Sequence, residues 1–262
     1  KVLKKKFNIF IISVKKILKD FKKEKNINLV IIDTPKINIF YKYIVSLFSI
    51  IKIFKLVNKL KDKNIKIISF QSSFFPSIIC SILRLKLILR VSEDPIGATI
   101  YSDNKILAAF IMLSKILTYN LSYKIFTNST KMRANTQKLV FNKRKVFLQY
   151  NMNLNLINKF KISNKKNIFL NVGRFCKQKN QLIILKAFKL FLNRNKVYNY
   201  KLYLCGDGPD KIKLKKLCNS LKLNKYVKFY SWQKDTNYLL KKSKYFLLTS
   251  LYEGLPNALI EA

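Results

Sequence analysis

Two carboxylates near the end of the chain have a spacing that could hold two ends of one polar ligand. Glu253 follows the apolar run Tyr245–Leu248, which is typical of a buried strand, and Gly254 allows a turn. Pro256 then suits the first position of a helix, where its missing N–H would have no partner anyway. Glu261 would lie about one and a half turns into that helix, and five residues at ~1.5 Å each would put roughly 7–8 Å between the levels of Glu253 and Glu261. The alternative is a solvated turn residue followed by a glutamate on a helix surface.

Two segments upstream place glycines and cations directly after apolar runs. They are Asn171–Asn180, with the sequence NVGRFCKQKN, and Leu204–Pro209, with the sequence LCGDGP. With Glu-x7-Glu and its internal Gly-Leu-Pro, they resemble in order and spacing the motifs of the retaining nucleotide-sugar glycosyltransferases of family 4. That family is of the group 1 type and has the GT-B fold. The resemblance extends over residues 167–262 and is diffuse over residues 1–152.

The resemblance implies a role for each charged residue of the motifs. Arg174 and Lys179 would bind the donor diphosphate. Arg174 follows a predicted strand and Lys179 precedes a predicted helix, so both should point into the crevice where α/β sheets bind ligands. Fixed positive charge and helix N-termini there stabilise the charge that develops on the leaving diphosphate. Glu261 would accept hydrogen bonds from the ribose, and Glu253 would contact the donor sugar or stabilise its cationic centre, without acting as a nucleophile.

The resemblance also defines the full set of expected site residues. The expected catalytic residues are Arg174, Lys179 and Glu253. The residues expected to bind the donor, a UDP- or GDP-sugar, are Arg174, Lys179, Gly206, Gly208, Glu253, Gly254, Leu255, Asn257 and Glu261. The glycines of the second motif could equally serve only the backbone, since Gly tolerates positive φ. Trp232 lies where the family tends to have an aromatic residue near the base.

A polar turn in the first half of the chain, Ser92–Gly97, carries two adjacent carboxylates. Glu93 and Asp94 follow the apolar run Leu85–Val91, so they should lie at the carboxyl end of a strand. Either could bind or orient the acceptor hydroxyl, and a capped turn before Pro95 is an equally good interpretation. The chain has no histidine, which excludes any step that depends on one.

The residue types that usually coordinate metals argue against a metal site or a bound cofactor. The four cysteines are scattered, at positions 80, 176, 205 and 218, and no Asp-x-Asp occurs. With no histidine either, a zinc site is not expected. We therefore predict no metal and no cofactor, with cations and helix dipoles neutralising the diphosphate of the substrate. Scattered cysteines also fit a reducing compartment.

The chain is strongly basic, with a formal net charge of +41. Only six of its 53 basic residues are Arg, whereas surfaces that recognise nucleic acid favour Arg, so a nucleic-acid partner is not expected. The field should still attract anionic lipid surfaces and anionic substrates. Asn38–Leu60 is predicted to be a helix with Lys52, Lys55 and Lys59 on one face. It could lie on a membrane surface or simply on a sheet. No apolar stretch reaches the ~20 residues of a membrane span.

Strand-like and helix-like segments alternate along the chain, which predicts an α/β protein with parallel sheets. The expected architecture is GT-B, with two Rossmann-like domains facing a cleft. Residues 1–152 would form the acceptor-side domain, residues 153–166 a linker, and residues 167–262 the donor-binding domain. Both domains are expected to be incomplete, because the family has a Gly-rich opening loop and further elements at its end. In the first half, Ser129 is a predicted N-cap for the helix that follows it.

The predicted function is transfer of a hexose, with retention, from the nucleotide-sugar to a glycan or lipid-linked acceptor. The resemblance implies a role in cell-surface polysaccharide or lipopolysaccharide biosynthesis. The expected location is the cytoplasm, where the protein could also attach to the inner face of the cytoplasmic membrane. One alternative is a non-catalytic Rossmann-like protein that binds nucleotides or polyanions and associates with membranes. Nucleic-acid binding by the Lys-rich surface is a third reading, which predicts steep salt dependence.

Overall fold

The chain folds into two α/β units, each built on a parallel sheet. A computed structural model describes residues 9–14, 27–32, 41–60, 66–70, 73–151, 165–195, 199–233 and 235–262. The first unit comprises Lys1–Thr99 with Asn104–Gln149, and the second comprises Ile100–Asp103 with Tyr150–Ala262. Most of the predicted linker, 153–166, lies outside the described residues.

The first unit contains a four-stranded parallel sheet and a separate parallel pair. The pair is β1 (Ile9–Val14) with β2 (Ile27–Ile32). The larger sheet has the order β3 (Lys66–Ser69), β4 (Lys86–Val91), β5 (Lys124–Thr127) and β6 (Val146–Leu148). The helices in chain order are α1 (Tyr41–Leu60), α2 (Phe74–Ile82), α3 (Pro95–Ile100), α4 (Lys105–Leu121) and α5 (Thr130–Gln137).

Apolar strands and well-capped helices account for this sheet. Leu87, Leu89 and Ile125 are almost completely buried and form the centre of the core. The side chain of Asn104 accepts a hydrogen bond from the backbone N–H of Leu107 at 2.9 Å and begins α4. Ser129 does the same for α5, which confirms the predicted N-cap.

The second unit has a four-stranded parallel sheet. Its strands are β7 (Lys166–Val172), β8 (Lys201–Cys205), β9 (Val227–Tyr230) and β10 (Ser243–Phe246). Their order in the sheet is β10-β7-β8-β9. Its helices are α6 (Gln181–Asn195), α7 (Lys211–Ser220), α8 (Asn237–Lys242) and α9 (Asn257–Glu261). The core lies where α6 and α7 cover β7 and β8, around Leu202, Leu204 and Phe188. This alternation places the carboxyl ends of β7 and β8 side by side.

Three local predictions were wrong by a few residues. The last strand is Ser243–Phe246 and not Tyr245–Leu248, because pairing with β7 ends after Phe246, although the N–H of Leu247 still donates to the Leu170 carbonyl at 2.7 Å. Pro256 lies just before α9 with an extended ψ of 103°, so it caps the helix instead of starting it. The segment Ser92–Gly97 was predicted to be a turn throughout, but the short helix α3 already begins within it, at Pro95.

Candidate functional site

The carboxyl ends of β7 and β8 continue into two turns that are bonded to each other. The N–H of Gly173 donates to the Cys205 carbonyl at 3.0 Å, and the N–H of Phe175 donates to the Asp207 carbonyl at 2.9 Å. The N–H of Gly206 donates in turn to the Tyr230 carbonyl of β9 at 3.0 Å. These bonds extend the sheet by two residues and bring the first two sequence motifs together.

Gly206 and Gly208 make this close approach possible. Both have positive φ, 156° and 154°. A Cβ atom on Gly206 would lie 2.0 Å from the Gly173 carbonyl oxygen, and one on Gly208 would lie 2.3 Å from the Phe175 carbonyl oxygen. Either contact would force the backbone apart, since real Cβ atoms do not approach so closely. The glycines therefore have a backbone role, and donor binding by them stays a prediction.

Asp207, between the two glycines, ties the turn to the start of α7. Its carboxylate accepts hydrogen bonds from the N–H of Gly208 at 2.8 Å and from the Lys211 ammonium at 2.7 Å. The hydrogen bond from Lys211 is the main reason why the pKa of Asp207 lies below its usual value. The turn is thus held in one conformation from both sides.

A cavity of about 410 Å³ opens at the ends of these strands. Its lining residues are Val172, Gly173, Arg174, Cys205, Gly206, Asp207, Trp232, Gln233 and Thr236. The Arg174 side chain is exposed, while its carbonyl accepts a hydrogen bond from the buried Gln181 side chain at 3.0 Å. Trp232 is 70% exposed and brings a large aromatic surface to the cavity. The structure therefore groups Arg174, Gly206 and Trp232 around one concave surface.

Lys179 and Glu253, which the sequence analysis placed in different motifs, form an ion pair. Lys179 ends a 3-10 turn, Lys177–Lys179, and its Nζ atom contacts Oε1 of Glu253. The two side chains are 23% and 19% exposed, so solvent screens the pair only in part. The stem of Lys179 passes Gly173, where an added Cβ would lie 3.7 Å from its Cδ.

Backbone contacts connect the two segments that carry this pair. The N–H of Leu251 donates to the Gln178 carbonyl at 2.8 Å, and the Gln178 side chain donates to the Tyr252 carbonyl at 3.0 Å. The Thr249 hydroxyl lies 3.1 and 3.2 Å from the carbonyl oxygens of Lys179 and Asn180. The sequence analysis missed Gln178 and Thr249. Only the position of Thr249 just after a strand could have drawn attention to it.

The remaining residues of the last motif lie at the surface or partly buried. Glu261 is exposed at the last position of α9, and Asn257 accepts a hydrogen bond from the Asn151 side chain at 2.8 Å. Gly254 and Leu255 are half-buried. Among the described residues, Lys179 pairs with Glu253 and not with Glu261. The ribose-binding role of Glu261 stays a prediction.

The two carboxylates of the first unit have different environments. Asp94 is 2% exposed and accepts hydrogen bonds from the N–H of Ile96 at 3.1 Å and from the Asn135 side chain at 2.9 Å. It therefore caps the turn before α3, as one of the two interpretations predicted. Glu93 is exposed. An acceptor-binding role stays a prediction for both residues.

The titratable side chains suited to metal binding are dispersed in the part of the chain that the structure describes. No three of its His, Cys, Asp and Glu residues lie close enough to hold one ion. All four cysteines are free thiols, and burial raises the pKa of Cys80 to about 12. Burial also raises the pKa of Cys205, which lines the cavity. None of the described helices has the combined length and apolar content of a membrane span.

Sequence comparison relates the chain to glycosyltransferases. Residues 153–262 match the family model of the group 1 glycosyl transferases. An uncharacterized glycosyltransferase of Methanocaldococcus jannaschii is 31% identical to this chain. The alignment covers the whole of this chain and 57% of the length of that relative. The capsular polysaccharide biosynthesis glycosyltransferase CapH of Staphylococcus aureus is 29% identical over 80% of this chain and 60% of the length of CapH. An Escherichia coli galactosyltransferase that uses UDP-Gal and GlcNAc-diphosphoundecaprenol is 34% identical over 36% of this chain and 25% of its own. The chain thus covers less than two thirds of the length of each of these relatives.

Comparison with solved structures identifies the fold. The chain superimposes on sucrose-phosphate synthase from Thermosynechococcus elongatus with a TM-score of 0.77 and 13% identity, over 99% of this chain and 70% of that one. It superimposes on Anabaena HepE in complex with UDP-glucose with a TM-score of 0.68 and 15% identity, over 95% and 66%. The predicted α/β architecture with two parallel sheets is therefore confirmed. Residues 153–262 match the group 1 glycosyl transferases in sequence, and the two α/β units have the GT-B fold.

Proposed function

We propose that the chain is the greater part of a retaining glycosyltransferase of family 4, which transfers a hexose from a nucleotide-sugar to a glycan or lipid-linked acceptor. The observation that carries the proposal is the grouping at the carboxyl ends of β7 and β8. A glycine turn, the exposed cation Arg174 and the Lys179–Glu253 pair lie on segments that are bonded to each other. Ligands of parallel α/β sheets bind at this end of the strands.

The donor's chemistry fits these charges. Cleavage of the glycosidic bond leaves negative charge on the diphosphate while the sugar becomes cationic. Arg174 and Lys179 would bind the diphosphate and stabilise that charge, and Glu253 would lie beside the sugar. The acceptor hydroxyl attacks the anomeric carbon, the carbon–oxygen bond to the diphosphate breaks, and the departing phosphate takes the acceptor's proton. No group of the protein need form a covalent intermediate in this scheme, and we propose that it proceeds without a metal ion.

Lys179 must change partners for this role. Its ammonium is paired with the Glu253 carboxylate in the structure, so a diphosphate would have to compete with that carboxylate. Once the diphosphate holds Lys179, Glu253 is released toward the sugar. The Gln178 and Thr249 contacts keep the two segments together during this exchange, because they involve backbone groups and not the charged side chains.

The relatives suggest the donor and acceptor classes. HepE binds UDP-glucose, the E. coli relative uses UDP-Gal with a diphosphoundecaprenol acceptor, and CapH acts in capsular polysaccharide biosynthesis. We therefore propose a UDP- or GDP-sugar as donor and a lipid-linked or surface polysaccharide as acceptor. An acceptor of this kind is reached at the cytoplasmic face of a membrane, where the net charge of +41 would favour peripheral attachment.

The donor site is tested by thermal unfolding of the full-length protein with UDP, GDP, ADP and their common sugar derivatives. A ligand at 100 times its Kd should add about 2.7 kcal/mol to the free energy of unfolding. We expect stabilisation by one nucleotide class, lost in Arg174→Ala and Glu261→Ala. A folded protein that no nucleotide stabilises would contradict the proposal. Binding without any sugar transfer to lipid-linked acceptors would favour the non-catalytic alternative.

A further inference from the structure

Four residues from the first half of the chain belong to the second unit. They are Ile100–Asp103, which group with Tyr150–Ala262. The segment runs from the last residue of α3 to the residue before Asn104, the N-cap of α4. Because a short connection between two helices has few conformations open to it, its side chains are presented in a restricted range of positions.

The ring of Tyr101 contacts the segment that carries Glu253. It stacks on the ring of Tyr252, the residue before Glu253, with centroids 5.9 Å apart and planes 11° from parallel. Stacked rings exclude water from the faces in contact and have a preferred geometry. The stack therefore restricts where Tyr252, and with it Glu253, can lie.

The carboxylate of Asp103 contacts the segment that carries Lys179. It forms an ion pair with the ammonium of Lys177, the first residue of the 3-10 turn that Lys179 ends. The side chains of Asp103 and Lys177 are 85% and 53% exposed, so water screens the attraction and the ion pair by itself contributes little. With the Tyr101 stack, however, it makes one short segment contact both sides of the Lys179–Glu253 pair.

Regular secondary structure fixes neither side of that pair. The 3-10 turn begins without a side-chain cap, and Asn180 after it has a φ of 51°. Residues 247–256 lie between β10 and α9 and belong to neither. Such segments open at low free energy unless other contacts hold them. The backbone contacts described above are one such hold, and the segment Ile100–Asp103 is a second.

We propose that Tyr101 and Asp103 are positioning residues for the Lys179–Glu253 pair. They hold the two segments that carry the pair at the separation at which the ammonium and the carboxylate meet. The catalytic consequence rests on the function proposed above, because a misplacement of about 1 Å can lower turnover about 100-fold. The positioning itself does not rest on that function, since it can be measured without a nucleotide.

The first test is site-resolved hydrogen–deuterium exchange of the full-length protein without a nucleotide. The reporter is the N–H of Leu251, which joins the two segments by donating to the Gln178 carbonyl at 2.8 Å. Tyr101→Leu, which removes the ring but keeps an apolar side chain, should speed its exchange about fivefold. Tyr101→Phe keeps the ring and should exchange like the wild type. The N–H of Leu247, which donates to the Leu170 carbonyl, is an internal reference that should not change.

The matched control variant is Tyr123→Leu. Tyr123 has a similar exposure, 47% against 42% for Tyr101, but lies in the first unit, where its ring contacts Lys86 and Lys124. This variant should leave the exchange of the Leu251 N–H unchanged. Unchanged exchange of that N–H in Tyr101→Leu would overturn the proposal, and so would equal acceleration in the two leucine variants.

Charge reversal tests the ion pair and remains decisive if Tyr101→Leu does not fold. Asp103→Lys places a second cation beside Lys177. It should speed exchange of the Lys179 N–H, which donates to the Cys176 carbonyl at 3.0 Å, about threefold. Adding Lys177→Asp restores opposite charges and should return the exchange to near the wild-type rate. A double variant that exchanges no more slowly than Asp103→Lys would overturn the proposal.

Steady-state kinetics with the UDP- or GDP-sugar that stabilises the wild type measures the catalytic consequence. In Tyr101→Leu we expect kcat to fall about tenfold and KM for the donor to change less than about threefold, because placement matters most in the transition state. Tyr101→Phe should restore kcat, whereas an unchanged kcat in Tyr101→Leu would overturn the proposal. A wild-type protein without transferase activity would contradict the proposed function, and the exchange rates would still decide whether Tyr101 and Asp103 position the pair.

Discussion

The Lys179 ammonium is paired with the Glu253 carboxylate, although the two residues are 74 positions apart. Each belongs to a different sequence motif, and each was expected to meet a different part of the donor. In the structure they meet each other instead. If the proposed function is right, donor binding exchanges these partners, and several consequences can be measured.

Replacing Glu253 with Gln should strengthen the binding of a nucleoside diphosphate while it abolishes most transferase activity. The substitution keeps the shape of the side chain but removes the carboxylate that competes for Lys179. A partly exposed ion pair contributes about 1 kcal/mol, so Kd should fall roughly fivefold. Calorimetric titration with UDP or GDP measures the effect.

Two comparisons test the cause of that change. The corresponding nucleoside monophosphate, which lacks the β-phosphate, should bind Glu253→Gln and the wild type equally. Glu261→Gln should not tighten diphosphate binding, since Glu261 has no ion pair with Lys179. An unchanged Kd for the diphosphate in Glu253→Gln would mean that the pair does not oppose donor binding.

Gly206→Ala should lower the free energy of unfolding by about 3 kcal/mol or more, because its Cβ would overlap the Gly173 carbonyl oxygen in a backbone conformation that L-residues disfavour. Gly173→Ala is the matched control. Its Cβ would make an ordinary contact, 3.7 Å from Lys179 Cδ, so it should cost less than about 1 kcal/mol. Urea unfolding of both variants measures the two losses in the free energy of unfolding. Similar losses would contradict the idea that the close approach of the two turns requires glycine at position 206.

Thr249→Val should lower kcat and reduce stability by about 1–2 kcal/mol, since the hydroxyl that holds the carbonyl groups of Lys179 and Asn180 is lost without a large change in volume. Thr249→Ser keeps the hydroxyl and should restore kcat to near the wild-type value. Steady-state kinetics with a saturating donor separates the two. If Ser and Val behave alike, the hydroxyl does not position Lys179.

The stability of the protein should fall as pH rises above 9, in part because of Cys80. Burial raises the pKa of this thiol from 9.0 to about 12 in the folded protein. Below pH 9 the thiol is protonated in both states and the contribution is fully present. Between pH 9 and about 12 the unfolded chain ionises first, so unfolding is favoured by up to about 1.4 kcal/mol per pH unit.

Cys80→Ala should reduce this slope in chemical unfolding curves measured from pH 8 to 10.5. A residual slope is expected, because burial also raises the pKa of Tyr119. Cys176, which is only half-buried, provides the matched control: Cys176→Ala should leave the slope unchanged. Equal slopes in the wild type and Cys80→Ala would contradict the assignment to Cys80.

Much of the fold was predictable from the sequence, because the information is local. Apolar runs of strand length alternate with helical segments. The start of α5 could be predicted because the Ser129 side chain accepts a hydrogen bond from the N–H of Met132, only three residues away. The glycine turn Gly206–Gly208 could be predicted because Gly favours turns, but the atoms that require glycine there belong to Gly173 and Phe175, on the turn after another strand. Strand limits were less predictable, because β10 ends where its partner β7 stops pairing.

The tertiary structure decided which charged groups meet. Sequence motifs placed Lys179 before a helix and Glu253 in a turn after a strand. Only the packing of β10 beside β7 brings their segments together and makes them partners. The same packing gives the Thr249 hydroxyl its partners, the carbonyl groups of Lys179 and Asn180, which its position just after a strand does not predict. Asp94 and Glu93 are neighbours in the chain, yet one is buried as a cap and the other faces solvent. Local propensities act over a few residues, whereas burial and long-range pairing depend on contacts that exist only after the sheet has formed.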